Sequence, residues 1–484
     1  MTSFANLPTH VALPAELSVA NVDPIVPPEA RSNSIKVYAI NNPSVSTSFA
    51  TGTTTSINLG DIPFLNQEIL FDLPCSQGKS TFLDTRLSTI SFRATYAYGT
   101  VPATPLQISS ANLRSSAYAY FDQLRVISQS GGILENIPEY GLTMDTLLQN
   151  QMSSSDRLGL GVSHGFSSTN LGHTIGITGT PGSNTSFTYS YSVPLVSAIL
   201  GVTNDKFFPI GLVKKMMLSL TTASILPVTI VSAGAGSGSS PVTVTLSDFV
   251  LQLETINIGD AAANQIFSTL HDGKMYLHGQ SYKTTTSQIP ANTAGAITLP
   301  IGLSGSSVRS LFARFAESGT ANTTNSSHGK FSSANPLLNS YGWQISGLQV
   351  PSSLYNPLLY PSQCFRSLQM AMGNFNSTQF KSYLPPNYYC KVAAGTFNGQ
   401  GTTADSNWSQ GSVATSQASF FLGENIETIA KRGMLSGRDL TFQKLNLVLS
   451  TASGPTNTIT VYVHALLDVV TIVDIQSGET VTIL

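Results

Sequence analysis

The stretch that most constrains the fold is the last one, Ser419 to Leu484, which holds a dense run of strand signals and almost no helical periodicity. Within Leu440 to Ser450, the residues Leu440, Phe442, Leu445, Leu447 and Leu449 fall at nearly every second position, with polar or charged residues between them. Successive side chains of a strand point to opposite faces, so this spacing predicts a strand buried on one side. Ser453-Gly454-Pro455-Thr456-Asn457 reads as a turn, and Ile459, Val461, Val463, Leu467, Val469, Val470, Ile472 and Val473 follow it. Such β-branched residues pack well on a pleated surface. The two runs are expected to form a long antiparallel pair. A chain that ends on such a pair is expected to end inside its sheet, because an unpaired apolar edge invites aggregation.

The chain has 484 residues. All-β domains commonly reach roughly 200–250 residues, so two large β domains fit this length. Only 10% of the residues are charged, against roughly 25% in an ordinary domain, and the surface is expected to be polar and neutral. A net charge of −2 argues against a nucleic-acid binder, which needs a basic face to displace counterions from phosphates. Between Met1 and Gly60 the only basic residues are Arg31 and Lys36, offset by Glu16, Asp23 and Glu29, so a basic arm is not expected. Met1 to Val22 lacks the pattern of a secretory signal, and no run reaches the roughly 18–20 apolar residues of a membrane helix. Cys75, Cys364 and Cys390 have no metal-like spacing. Together these features predict a protein made and used in the cytosol or nucleus.

Residues 1–58 are rich in Pro, Ser, Asn and Thr and are expected to form an extended N-terminal arm that orders only against neighbours. Strands are predicted at Ile62 to Leu73, Leu87 to Tyr98 and Tyr118 to Ile127, then a short helix beyond Pro138 on Tyr140, Met144, Leu147 and Leu148. Ser153 to Ser186 reads as a long polar loop, and strands resume at Phe187 to Val193, Val213 to Thr221 and Val242 to Ile258. A helix at Ala261 to Leu270 ends near Asp272-Gly273, the expected hinge. The order then restarts, with strands at Lys274 to Thr284, Ala296 to Leu303, Val308 to Glu317 and Tyr341 to Val350, a helix at Ser362 to Met372, a polar stretch to Gln417 and the closing strands. The chain is therefore read as all-β, an arm over 1–58 and two eight-stranded jelly-roll sandwiches over 59–272 and 273–484, with short helices in the loops.

Residues that could carry chemistry do not assemble into a motif. The histidines His10, His164, His173, His271, His278, His328 and His464 show no ligand spacing, and only His464 is expected to be substantially buried. Gly159, Gly161 and Gly165 lack phosphate-loop spacing and read as a plain loop. Asp468 and Asp474 could meet only through folding. Asn184, Asn322, Asn325, Asn376 and Asn407 open glycosylation sequons that reflect abundant Ser and Thr. No catalytic, cofactor-binding or metal residue is assigned, and the chain is read as a non-enzyme.

Several short motifs resemble one family in their order and spacing. Tyr341 to Tyr355 (YGWQISGLQVPSSLY) resembles the strand and Gly-x-x-x-Pro turn of double jelly-roll major capsid proteins, and the helix Cys364 to Met372 follows. Phe421 to Thr428 (FLGENIET), then Leu435 to Asp439, then His464 to Asp468 resemble later signposts of the same proteins. Tyr120 to Leu147 is similar to the first jelly roll in polinton-like viruses and virophages. The resemblance spans about 120 to 470 and implies a major capsid protein of a small eukaryotic DNA virus. It also implies pseudo-hexagonal homotrimeric capsomers that tile an icosahedral virion shell, with minor capsid or penton proteins as partners and little direct nucleic-acid contact. Long polar stretches, Ser153 to Ser186, Ser232 to Ser240, Ala316 to Ser340 and Asn387 to Gln417, suit the outer end of such a sandwich. Two alternatives stand beside this reading. One is a small RNA-virus capsid protein with a single jelly roll and a protruding domain. The other is a carbohydrate-binding or adhesive β-sandwich, for which Trp343 and Trp408 are the only tryptophans.

Overall fold

The computed structural model describes residues 30–41, 44–50, 64, 66–98, 107–114, 116–165, 172–175, 185–204, 206–225, 227–233, 241–317, 329–331, 333, 335–373, 389, 419–427, 436–452, 454–455 and 458–483. The first half runs β1 (Arg31–Tyr38), β2 (Val45–Ala50), β3 (Glu68–Asp72), β4 (Thr81–Tyr98), β5 (Gln107–Arg114), β6 (Phe121–Ser128), β7 (Ile133–Pro138), α1 (Tyr140–Gln151), α2 (Ser154–His164), β8 (Gly172–Ile175), β9 (Thr185–Pro194), β10 (Met216–Thr222), β11 (Val228–Ala233) and β12 (Pro241–Asn257). After α3 (Asp260–Ser268), the second half runs β13 (Lys274–Ile289), β14 (Gly295–Ile301), β15 (Val308–Glu317), β16 (Leu338–Ile345), β17 (Leu348–Tyr355), α4 (Pro361–Ala371), β18 (Phe421–Asn425), β19 (Leu445–Thr451), β20 (Ile459–Asp474) and β21 (Thr480–Ile483).

Two sheets make the body of each half. In the first, β1-β12-β4-β9 faces β3-β10-β6-β7; in the second, β13-β20-β15-β18 faces β14-β19-β16-β17. Every pairing between these strands is antiparallel. Numbered within its own sandwich, each half has the same strand order, 1-8-3-6 against 2-7-4-5, which is the eight-stranded jelly roll. The helix between the fifth and sixth strands also recurs, as α1 and as α4. The all-β double jelly roll is therefore present as expected.

The alternation that predicted the strands is also what fills the core. Along β19 the burial runs strictly inside and outside, with Leu445, Leu447 and Leu449 buried. Along β20, Val461, Val463, Ala465, Leu467 and Val469 point inward. In the first half Phe92 is the centre, with Tyr120, Phe121, Tyr191 and Phe249 at centroid distances of 5.7, 5.2, 5.6 and 5.8 Å.

Five expectations are corrected. β19 and β20 do not pair: β19 lies between β14 and β16, while β20 lies between β13 and β15, so the two runs belong to facing sheets. Alternation marks a half-buried strand without naming its partner. The strand also starts at Leu445, and Phe442, read as inward, is 96% exposed in the turn where Asp439 accepts from the Thr441 amide at 2.8 Å. Tyr341 to Val350 is a hairpin rather than one strand, turned by Ser346 and Gly347 at φ of 49° and 89°. Part of the expected arm is sheet, since β1 pairs with β12 from Arg31↔Asn257 to Tyr38↔Val250 and β2 also pairs with β12. Residues 1–29 lie outside the described residues. Lastly, the glycine-rich start of the Ser153 loop is α2. Ser153 and Asp156 form a reciprocal capping box, and Gly165 ends the helix at φ 72°.

A small third sheet, β11-β5-β8, is built from three insertions of the first half. Its strands lie in the connections β4 to β6, α2 to β9 and β10 to β12, so these three connections meet at one end of the sandwich. Most of the other polar stretches lie outside the described residues.

Candidate assembly surfaces

The functional candidates are surfaces rather than a catalytic cleft, and the covered one comes first. α1 follows Pro138, which closes β7, and Glu139, which turns the chain at φ 52°. Ten of its twelve residues are buried, on two sides at once. On its own sandwich, the Tyr140 hydroxyl accepts from the Val196 amide at 3.0 Å. On the other side it meets the outer face of β13-β20-β15. Arg314 on β15 is fully buried there and donates from Nη1 to Asp145 Oδ2 at 2.8 Å and to Thr146 Oγ1 at 3.1 Å. Its guanidinium lies 5.3 Å from the Phe421 ring centroid. His464 Nδ1 sits 3.1 Å from Thr143 Oγ1 and 2.8 Å from Thr284 Oγ1. Burial, helped by the nearby Arg314 charge, pushes the His464 ring down to about 3, so it is neutral.

Other polar groups stitch the same seam. Glu135 on β7 is fully buried and accepts from Ser197 Oγ at 2.5 Å, the Ala198 amide at 2.9 Å and, across the seam, Ser281 Oγ at 2.6 Å. Its carboxyl is raised by burial, with these donors opposing. Lys330, in a 3-10 turn at Gly329–Phe331, reaches Asp122 Oδ1 at 2.8 Å and Glu139 Oε2 at 2.5 Å. Burial works against the Lys330 charge, but the two carboxylates outweigh it and raise the ammonium. The carboxylates respond oppositely. Burial raises Glu139 despite the lysine, whereas the lysine and Ser224 overcome burial at Asp122 and lower it. The halves approach so closely that a Cβ built on Gly279 of β13 would stand 2.4 Å from the Ala198 carbonyl oxygen.

The corresponding surfaces at the other ends of the chain are open. α4 buries only Cys364, Ser367, Leu368 and Ala371. Gln363, Arg366 and Met370, spaced along one helical face, are exposed, and Leu359 and Tyr360 just before the helix are 61% and 54% exposed. The first half's β4 alternates between buried and partly open positions beyond Leu87, whereas Val308 to Ala316 of β15 is buried throughout except at Arg309. The open face of β4 and β9 carries hydroxyls that satisfy one another, Ser91 with Ser192 at 3.0 Å and Thr95 with Thr188 at 2.9 Å. Arg93 and Asp248 add an exposed ion pair at 3.3 Å.

Of the residues weighed in the sequence, His464 is buried as expected, at the seam, but it is not alone in this: His164, at the end of α2, is buried as well. Asp468 and Asp474 have separate partners, Ser307 and Arg309 for the first and the turn amides of Gln476 and Ser477 for the second. No group of three His, Cys, Asp or Glu that could hold a metal occurs among the described residues, and no helix there is long and apolar enough to cross a membrane. The asparagines of the five sequons lie outside the described residues. Sequence reading missed Arg314, Asp145, Glu135 and Lys330. The one signal available was a charge inside an apolar run, as in VRSLFARFAE and LTMDTLL.

No protein-family model and no curated protein matches this sequence. Solved structures do match. The mavirus major capsid protein aligns at a TM-score of 0.54 and 10% identity, over 100% of this chain and 96% of that one. The Sputnik virophage structure aligns at 0.53 and 11% identity, over 91% and 89%. The Faustovirus major capsid protein aligns at 0.51 and 11% identity, over 93% and 91%. At such identities the likeness is one of fold: the chain carries the double jelly-roll fold seen in viral major capsid proteins.

Proposed function

We propose that this chain is a non-enzymatic major capsid protein whose work is self-association. Three copies form a pseudo-hexagonal capsomer, and capsomers tile an icosahedral virion shell. The observation that carries the reading is internal: one strand order occurs twice, and the same pair of surfaces is covered once and open once. Within the chain, the helix of the first jelly roll packs on the outer sheet of the second. Repeating that contact between copies sets α4 of one copy on the β1-β12-β4-β9 face of the next. A contact between unlike surfaces closes into a ring when its rotation permits, and three copies supply six jelly rolls.

The division into two jelly rolls, the first running from β1 to residue 272 and the second over 273–484, with the residues ahead of β1 as an arm, belongs to this reading. So do penton or other minor capsid partners. The low charge of the chain supports little direct grip on a genome. The repeat of strand order in the second half speaks against a single jelly roll with an unlike protruding domain. Light scattering of the purified protein, with negative-stain images of the same fraction, tests the proposal. A stable trimer with a six-lobed outline is expected. A monomer, or a dimer with a separate protruding lobe, would overturn it.

A further inference from the structure

Lys330 stands where an ordinary surface lysine would not. Its 3-10 turn, Gly329–Phe331, lies between β15 and β16 of the second half and carries the ammonium to two carboxylates of the first half, Asp122 on β6 and Glu139 just ahead of α1. The lysine side chain is only 9% exposed. A desolvated lysine is a nucleophile once its proton is removed, and with a carboxyl group the product is an amide.

The two carboxylates are not equivalent. Asp122 turns Oδ1 to Nζ at 2.8 Å, while its other oxygen, Oδ2, accepts from the Ser224 amide at 2.8 Å and from Ser224 Oγ at 2.7 Å. Two donors on the oxygen that faces away from the amine stabilise the oxyanion formed when a nucleophile adds to the carboxyl carbon. Glu139 Oε2 stands 2.5 Å from the same Nζ and has no other donor among the described residues. Burial raises the Glu139 carboxyl despite the lysine, which suits a group that takes and returns a proton.

We propose that Lys330 and Asp122 condense to an isopeptide bond, with Glu139 as the proton carrier, so that the two halves are joined covalently across the seam. Burial opposes the Lys330 charge and the carboxylates outweigh it, so the reaction starts from the ion pair. A proton passes from Nζ to Asp122 Oδ1, leaving an amine and a neutral acid. The Nζ lone pair attacks Cγ, and the displaced electron pair moves to Oδ2 between the Ser224 donors. Nζ then gives a second proton to Glu139. The Oδ2 pair re-forms the double bond, and Oδ1 leaves as water with the proton that Glu139 returns. One Nζ–Cγ bond forms and one Cγ–Oδ1 bond breaks. Two of the three ammonium hydrogens leave in the water, the third stays on the amide, and nothing is oxidised or reduced. The bond spans 208 positions of the chain. It is a property of one chain and does not depend on how copies assemble.

Mass spectrometry of the full chain, denatured after incubation in the folded state, tests the bond. The expected mass is one water below that of the sequence. A protease digest is expected to yield a branched peptide that joins the Asp122 and Lys330 segments, with no tryptic cut after Lys330. Lys330→Arg keeps the charge but cannot condense, and is expected at full mass. Glu139→Gln keeps the shape but cannot carry the proton, so linkage is expected to slow about a hundredfold or more. Wild type at full mass, a lost water without the branched peptide, or the same loss in Lys330→Arg would overturn the bond. Linkage at the wild-type rate in Glu139→Gln would overturn the role given to Glu139. Should either variant misfold, the presence or absence of the branched peptide in wild type decides alone.

Discussion

The two jelly rolls share a strand order and differ in how their interiors and exteriors are made. The first is centred on aromatic rings around Phe92, and the second on aliphatic alternation along β19 and β20 with Trp343 buried among them. Both fill a sandwich, so the topology does not depend on which large side chains fill it. The exteriors matter more. In the second half the outer face of β15 and β20 is occupied by Arg314 and His464, which have no use in water and make sense only beneath α1. In the first half the equivalent sheet shows self-paired hydroxyls. A fixed intrachain joint can afford a buried charge, whereas a surface that meets its partner after folding has to remain compatible with solvent.

The largest effect is expected where that contrast is sharpest. Arg314→Ala leaves Asp145 buried and uncompensated, at a cost of about 3–5 kcal/mol. Calorimetry should then show the unfolding of the two halves separate into distinct transitions. Arg366→Ala, on the exposed face of α4, should change stability by no more than about 0.5 kcal/mol. Equal effects of the two substitutions would break the contrast between a covered and an open helix.

The two helix seats should also answer pH with opposite signs. His464 is held down to about 3 in the folded chain against 6.5 ordinarily, so the unfolded chain binds the proton first as pH falls. Stability from this site is complete above about 6.5 and is lost progressively toward about 3; at pH 5 the loss is about 2 kcal/mol. Glu424 acts in the other direction, with loss as pH rises from about 4.5 to about 7. Denaturation of His464→Gln against wild type at about pH 5 and about pH 7.5 isolates the first term. A wild-type loss in acid that the variant retains would show that α1 is not seated by a neutral histidine.

What the sequence disclosed follows from the same physics. Period-two burial in β12, β13, β19 and β20 depends only on one strand and its two faces, so these were readable to within a few residues, as were α1 and α4. Partner choice was not readable: β19 and β20 look like a hairpin and lie in different sheets. β1, exposed along much of its length, gave no apolar pattern at all. The seam was hidden because it joins residues far apart in the chain, Glu135 with Ser281 and Asp145 with Arg314. In α2, glycines at 159 and 161 masked a helix whose true marker was the Ser153 to Asp156 capping box.

The smallest effect on folding should accompany the clearest effect on assembly. Met370 is 44% exposed on the open face of α4, so Met370→Asp should move the stability of the single chain by no more than about 0.5 kcal/mol. At the centre of a contact between copies, the same carboxylate would be desolvated without a partner, and interface positions of that kind cost upward of about 2 kcal/mol. Light scattering should therefore report single copies of a folded protein. Phe442 supplies the competing hypothesis, because at 96% exposure it is the barest aromatic side chain among the described residues. It lies in the turn ahead of β19 and has no counterpart in the covered joint. If Phe442→Asp dissociates the copies and Met370→Asp does not, association runs through the turn, and the repeated fold is not the rule by which the copies join.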